Sequence, residues 1–258
     1  EPNKALSTAR PLTAAPIPPR LIHPLGQHAG SPSEPIVAVG DRVCRMQPLS
    51  RASSFISAPV HAGSSGVVVA IEDHPVAHPS GLSAPCVVVD TDGEDRPWPE
   101  VEPLPDYVGL GPPALRARIR DAGIVGLGGA VFPTAVKLNV SGALKALILN
   151  GAECEPYISC DDTLMRHQPS EVISGAAVML HALELGRCLI AIEEDKPEAC
   201  AALTEALARV GDPRIEIVQV PAIYPEGGER QLITVLTGEE VPANGFPADI
   251  GYVVHNVG

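Results

Sequence analysis

Aromatic residues and lysines are scarce in this sequence. Phe, Trp and Tyr make up 3% of 258 residues that are 45% hydrophobic, so a core has to be built from Ala, Val, Leu and Ile. Lysine occurs only at positions 4, 137, 145 and 196. Lys and Arg total 18 against 31 Asp and Glu, a formal net charge of −13. That balance argues against nucleic acid or an anionic membrane surface as a partner, since both need clustered cations. It leaves room for an anionic cofactor held by one local positive group. No apolar run approaches the roughly 20 residues of a spanning helix, so the mean hydropathy of +0.15 reads as that of a soluble chain with strand-sized apolar runs. The cysteines (Cys44, Cys86, Cys154, Cys160, Cys188 and Cys200) form neither C-x-x-C nor a ferredoxin-type run. Cys188 and Cys200 read as core thiols. Cys154 and Cys160 flank an acidic loop, where a redox or ligand role competes with a plain reduced thiol, the preferred reading. Without a secretory signal or zinc spacing, the pattern fits a reducing cytoplasm.

Residues 1–22 are rich in Pro and Ala and show no apolar period, which predicts a flexible or wrapping arm. From 23 to about 95 short apolar runs, such as Gly66 to Ile71, are broken by Gly, Pro and Ser, an all-β signature. The order G-D-x-V, A-P-V, S-G-x-V resembles the lipoyl/biotinyl barrel-sandwich module. No lysine falls inside it, which excludes a lipoyl or biotin carrier and leaves a structural or docking role. His74 and His78 are spaced for one helix face, but Pro75 and Pro79 oppose a helix, and no metal is assigned. Pro97 to Pro113 reads as a linker, with a boundary near Pro105.

The chemistry concentrates in residues 123–162. A glycine turn (Gly126, Gly128, Gly129) precedes Lys137. A buried strand, Ala146 to Leu149, ends at Asn150 and opens into an acidic loop carrying Glu153, Glu155, Asp161 and Asp162. Glycines let a backbone approach a ligand, free N–H groups bind anions, and a lysine can neutralise a phosphate. Carboxylates past a strand end can accept bonds from sugar hydroxyls. These are the parts of a nucleotide or flavin phosphate site at a strand's carboxyl end. The turn spells neither G-x-G-x-x-G nor a Walker loop, and a tight loop with a solvated lysine fits the spacing equally well.

Alternation follows. A helix is predicted from Pro113 to Ala122, stopped by Gly123. A second, capped by Ser170, carries its apolar residues from Val172 to Leu183 at helical spacing and ends at Gly186. Cys188 to Ile192 reads as a buried strand, Pro197 to Val210 as a helix and Ile215 to Val220 as a third strand. Gly227 and Gly228 open a further helix, Gln231 to Leu236. That turn suits an anion at a helix N-terminus, or serves as a cap with Glu229 on the dipole. Ile250 to Val254 is a last strand. Strand–helix rhythm of this kind predicts a parallel sheet with flanking helices. The fold class is therefore α/β: a Rossmann-like sheet preceded by a small all-β module.

The stretches GLGGAVFPTAVKL (126–138) and LILNGAECEPYISCDDTLMR (147–166) resemble RnfC, a soluble member of the Rnf electron-transport complex. More distantly they resemble the flavin-bearing, NADH-oxidising subunit of respiratory complex I, over about residues 23–258. Val131 stands where that pattern has glycine, and a β-branched residue suits φ > 0 poorly. The resemblance implies an arm (1–22), a barrel-sandwich-hybrid module (23–105) and a Rossmann-like domain (106–258) that binds FMN and NADH. It also implies that 4Fe–4S clusters lie in a C-terminal part beyond this piece. Gly128, Gly129 and Ala130 would lie against the flavin and Lys137 at its phosphate. Asn150 and Glu153 would bond ribityl or nicotinamide groups, and Glu155 and Glu229 would shape the NADH side. Tyr224, Gly228 and Asn256 match further pocket positions, whereas His255 has no assigned role. Implied partners are other subunits of a membrane-bound complex and a ferredoxin-type carrier, with the chain peripheral on the cytoplasmic face. A docking subunit that keeps the fold without flavin, and a cobalamin-reductase-like flavoprotein, are the alternatives.

Overall fold

The computed structural model describes residues 3–9, 12–78, 80–101, 103–140 and 142–258. The arm carries a short helix, α1 (Ala5–Thr8). Six strands follow: β1 (Arg20–Pro24), β2 (Glu34–Pro35), β3 (Arg42–Val43), β4 (Ser50–Arg51), β5 (Gly66–Pro75) and β6 (Ser83–Thr91). They form an antiparallel sheet in the order β1-β6-β5-β3, with β2 and β4 paired separately. A bulge between Val68 and Ala70 shifts the β5–β6 register and adds the twist that curls the sheet. Its small core holds Leu25, Val43, Leu49, Val68, Val87 and Val89. Gly66 is required, because a Cβ there would lie 2.1 Å from the Asp90 carbonyl oxygen. His74 lies within β5 rather than on a helix.

The linker begins later than its composition predicts. Arg45 N–H donates to Arg96 O and Trp98 N–H to Arg45 O, so residues 96–98 run along the module. Helix α2 (Pro112–Asp121) then leads to Gly123 at φ 68°, whose missing side chain lets it pass close to Pro59 of the module.

After the one-turn α3 (Thr134–Lys137) come β7 (Ala146–Gly151), α4 (Cys160–His167), α5 (Pro169–Leu183) and β8 (Cys188–Glu193). Next are α6 (Pro197–Val210), β9 (Ile215–Val220), α7 (Glu229–Thr237) and β10 (Tyr252–Asn256). The four strands pair in parallel in the order β10-β7-β8-β9. Successive side chains of a strand point to opposite faces. Leu147 and Leu149 accordingly join the core under α5 and α6, while Ala146 and Ile148 meet Leu232 and Ile233 of α7. Covered on both faces, β8 is buried at every position.

Three predicted boundaries move. Helix α5 starts at Pro169 with Gln168 as its cap, leaving Ser170 inside the first turn, because proline's fixed φ favours the first helical position. It ends at Leu183 rather than Gly186. Glu184 turns left-handed, and the N–H groups of Glu184 and Leu185 donate back to His181 O and Leu180 O, a helix-ending motif sealed by the buried Leu185. The last strand begins at Tyr252, not Ile250, because a 3-10 turn (Pro247–Ile250) and Gly251 at φ 90° precede it.

Candidate functional site

The chain runs outward through β7, β8 and β9, then returns to place β10 on the other side of β7. Crevices at such a reversal, beyond the strands' carboxyl ends, are where open α/β sheets bind ligands. A cavity of about 680 Å³ lies there, lined by the glycine turn, the acidic loop, residues 224–229 and the end of β10. This volume falls in the range of small-molecule sites, roughly 300–1,000 Å³.

The glycine turn forms one wall. Val125 and Pro133 close it as a β-bridge, and Gly126 N–H donates to Phe132 O. Among the described residues no acceptor meets the N–H groups of Gly128, Gly129 or Ala130. A Cβ on Gly128 would come 3.3 Å from Asn256, whereas Gly129, at φ 95°, has open space where its side chain would be. Val131 adopts φ 47°, a conformation that costs a β-branched residue on the order of 1 kcal/mol. The module braces it there, with Ala29 N–H donating to Val131 O.

Lys137, at the end of α3, donates to Val254 O at 2.8 Å and to Glu229 Oε1 at 3.1 Å, joining the glycine turn, β10 and α7. His255 faces the opposite way from Val254 and is buried beneath the turn. Its Nε2 lies 2.8 Å from Thr134 Oγ1 and its Nδ1 2.9 Å from Asn256 O. A neutral ring satisfies both, with Nδ1–H donating to the carbonyl and Nε2 accepting from the hydroxyl. Burial holds its pKa below the ordinary histidine value.

The acidic wall is more tightly bound than its sequence predicts. Asn150 Nδ2 donates to Gly227 O at 2.8 Å, and its Oδ1 accepts from Ala152 N–H at 3.0 Å. Gly227 N–H donates in turn to Cys154 Sγ. Glu153 is 4% exposed. Its Oε1 accepts from Asp161 N–H at 2.9 Å and from the Cys160 thiol at 3.2 Å. The Glu153 N–H donates to Glu193 Oε2, which also binds the buried Lys196 ammonium. Burial lowers the Lys196 pKa, but the bond and charge of Glu193 outweigh it and leave the net shift upward. Burial and then Glu153 push the Cys160 thiol up to about 11. Burial likewise raises Asp161, although Asn256 Nδ2 donates to it at 2.7 Å. Behind the cavity the buried Glu226 has Oε1 without a partner among the described residues, and burial followed by Glu193 raises its pKa.

All eleven sequence-predicted positions line this one cavity: Gly128, Gly129, Ala130, Lys137, Asn150, Glu153, Glu155, Tyr224, Gly228, Glu229 and Asn256. Glu155 and Tyr224 are exposed at the rim. Sequence reasoning missed the contributions of Cys160, Asp161 and His255, and of Lys196 beneath the floor. The available signals were the acidic run after the strand, and a lysine three residues after a strand-end glutamate. Glycine amides without acceptors, an ammonium beside them and a polar acidic wall fit an elongated, phosphorylated ligand with an apolar ring.

Residues 119–258 match the Nuo51 FMN-binding domain and residues 1–94 the RnfC barrel sandwich hybrid domain. The RnfC component of the ion-translocating oxidoreductase complex of Pseudomonas aeruginosa is 52% identical over 99% of this chain, and that of Vibrio cholerae 48% over 99%. The chain spans about a third of the length of these curated relatives, 33% of each. The crystal structure of an NAD+-reducing NiFe-hydrogenase in the air-oxidized state superposes with a TM-score of 0.53 at 26% identity, covering 59% of this chain and 29% of that one. With one domain match spanning more than half its length and a second covering the module before it, the chain belongs to the RnfC family of ion-translocating oxidoreductase complexes.

Proposed function

We propose that this chain is the flavin-binding part of an electron-transfer subunit. Its complex would be a membrane-bound, ion-translocating oxidoreductase that passes electrons between NADH, FMN and iron–sulfur clusters. The observation that carries this reading is the convergence of separated segments, 126–131, 150–161, 224–229 and 254–256, on one cavity where the sheet reverses. The doubly covered parallel sheet is read as Rossmann-like, and the antiparallel module as a barrel-sandwich hybrid used for docking.

FMN, when bound, supplies the exchange between two-electron and one-electron chemistry. The protein supplies position and charge. The Gly128, Gly129 and Ala130 amides donate to the ligand, and Lys137 provides the cation for its phosphate. Asn150 and Asn256 tie the acidic wall to its neighbours and keep the cavity open. Glu153, Glu155 and Glu229 face the side where a nicotinamide would enter, with Tyr224 at the rim. No side chain here is needed as a nucleophile. Iron–sulfur ligands belong to the part of the relatives outside this chain, as do the ferredoxin-type carrier and the other subunits. No helix among the described residues is long and apolar enough to cross a membrane, in keeping with a peripheral place at the cytoplasmic face.

A second reading, a docking subunit without flavin, is favoured by one observation: the Val131 side chain lines the cavity at a position where glycine would leave room. Flavin fluorescence quenching separates the two. Micromolar FMN binding by the unaltered chain, weakened about tenfold or more in Lys137→Ala as expected for loss of a charge-assisted bond, supports the redox reading. Absence of binding supports docking. Bleaching of bound flavin by NADH under anaerobic conditions tests the donor.

A further inference from the structure

The described part of the arm brings a cation to the acidic wall. Lys4 precedes Glu153 by 149 residues. Its ammonium nevertheless donates to the Glu153 carbonyl oxygen and lies 3.6 Å from Glu153 Oε2. The two side chains are 12% and 3% exposed, so added salt screens this pair far less than a surface pair. Helix α1 starts at the next residue, and Ser7 Oγ and Thr8 Oγ1 both donate to Lys4 O. The backbone behind the ammonium is thereby fixed.

The charges that face the cavity make this contact consequential. Its described lining carries Glu153, Glu155, Asp161 and Glu229 against Lys137, and Lys137 already pairs with Glu229. The remaining cation near the wall, Lys196, is buried beneath and binds Glu193. An anionic ligand entering here meets Glu153 in a site of low dielectric, where one uncompensated carboxylate opposes it strongly. Every other bond to Glu153 comes from residues of the α/β half. Glu193 accepts from its N–H, and Asp161 N–H and the Cys160 thiol donate to its carboxylate.

We propose that Lys4 is a positioning residue of this cavity and acts through Glu153. It clamps the Glu153 carbonyl and compensates its carboxylate, so that the acidic wall accepts an anionic ligand. The N-terminal arm is thereby a part of the site rather than an appendage of the β module. The identity of the ligand as FMN rests on the function proposed above; the clamp itself does not.

The test compares the unaltered chain with Lys4→Met, Lys4→Arg, Glu153→Gln and the Lys4→Met/Glu153→Gln double variant. FMN titration is read first. Lys4→Met is expected to raise the FMN Kd about tenfold, the scale of one charge-assisted contact. Lys4→Arg is expected to stay within about twofold, and in the Glu153→Gln background Lys4→Met is expected to cost less than about twofold, because contacting residues couple. Equal affinity of Lys4→Met and the unaltered chain overturns the inference, as does an undiminished loss in the Glu153→Gln background. Hydrogen exchange of the ligand-free proteins is read second. In Lys4→Met the amides of Asp161 and Asp162 are expected to exchange about tenfold faster, with β8 unchanged and Lys4→Arg normal. If the unaltered chain binds no FMN, the flavin reading fails and the exchange result alone decides: faster exchange upholds the clamp, and unchanged exchange overturns it.

Discussion

The antiparallel module and the parallel-sheet half bury different kinds of polar group. In the module the buried polar residues are His23, Ser33, Ser50, Ser57, Ser64 and Ser65. His23 is read as neutral: burial lowers its pKa, Nδ1–H donates to Val87 O, and Nε2 accepts from Gly63 N–H at 3.0 Å. In the other half they include Glu153, Asp162, Glu193, Lys196 and Glu226, all just past the carboxyl ends of β7, β8 and β9. Buried neutral groups are satisfied locally and specify a fold at little cost. Buried charges are expensive even when paired, and here they collect at the end of the sheet that holds the cavity. The module is built to be stable; the strand ends carry a cost that stability alone does not explain.

The strongest way to break this contrast is to remove one member of the buried pair. Lys196→Met leaves Glu193 without its cation and is expected to cost about 3–5 kcal/mol in urea unfolding. Replacing both, as Glu193→Leu with Lys196→Met, is expected to recover most of that loss, since a packed apolar pair often does as well. A loss below about 1 kcal/mol in the single variant would place the pair among surface ion pairs.

Acid provides the next test. His23 and His255 are buried, and burial holds the pKa of each below its ordinary value. Below about pH 6.5 the unfolded chain takes up protons that these native rings refuse. Stability therefore falls as pH drops from there toward the depressed native values, by up to about 1.4 kcal/mol per pH unit for each ring. His255→Asn is expected to flatten the decline in urea midpoint between pH 7 and 5.5. An unaltered slope would mean that His255 is protonated in the native state.

The smallest effect concerns the junction of the two regions. Val131 holds φ 47° while Ala29 of the module braces its carbonyl. Val131→Gly is expected to raise stability by about 1 kcal/mol through relief of backbone strain, read from thermal and urea unfolding. Destabilisation would show that the valine side chain contributes more by packing than its backbone costs.

How much of this was legible beforehand depended on the range of the interactions involved. Local signals sufficed for the sheet: Ile215 to Val220 is a strand at its predicted limits, and Pro197 opens its helix as expected. Boundaries slipped where two local signals competed, as with Pro169 against Ser170. The left-handed turn at Val131 was foreseen only as a mismatch with a glycine pattern, because nothing in a valine announces positive φ. The pocket positions were readable from motifs, but what ties them together was not. The bonds from Asn150 to Gly227, from Lys137 to Glu229 and from Lys4 to Glu153 each join residues more than seventy positions apart, and no periodicity reports such pairs. Lys196 looked like a helix-opening residue, since burial of its ammonium follows from how α4 and α6 pack rather than from its neighbours in sequence.

Hydrogen exchange with and without saturating FMN tests the central claim most directly. The account predicts slower exchange at amides 127–130, 153–162 and 227–229, with residues 36–60 of the module unchanged. Protection confined to the module, or none in the presence of measured FMN binding, would contradict it.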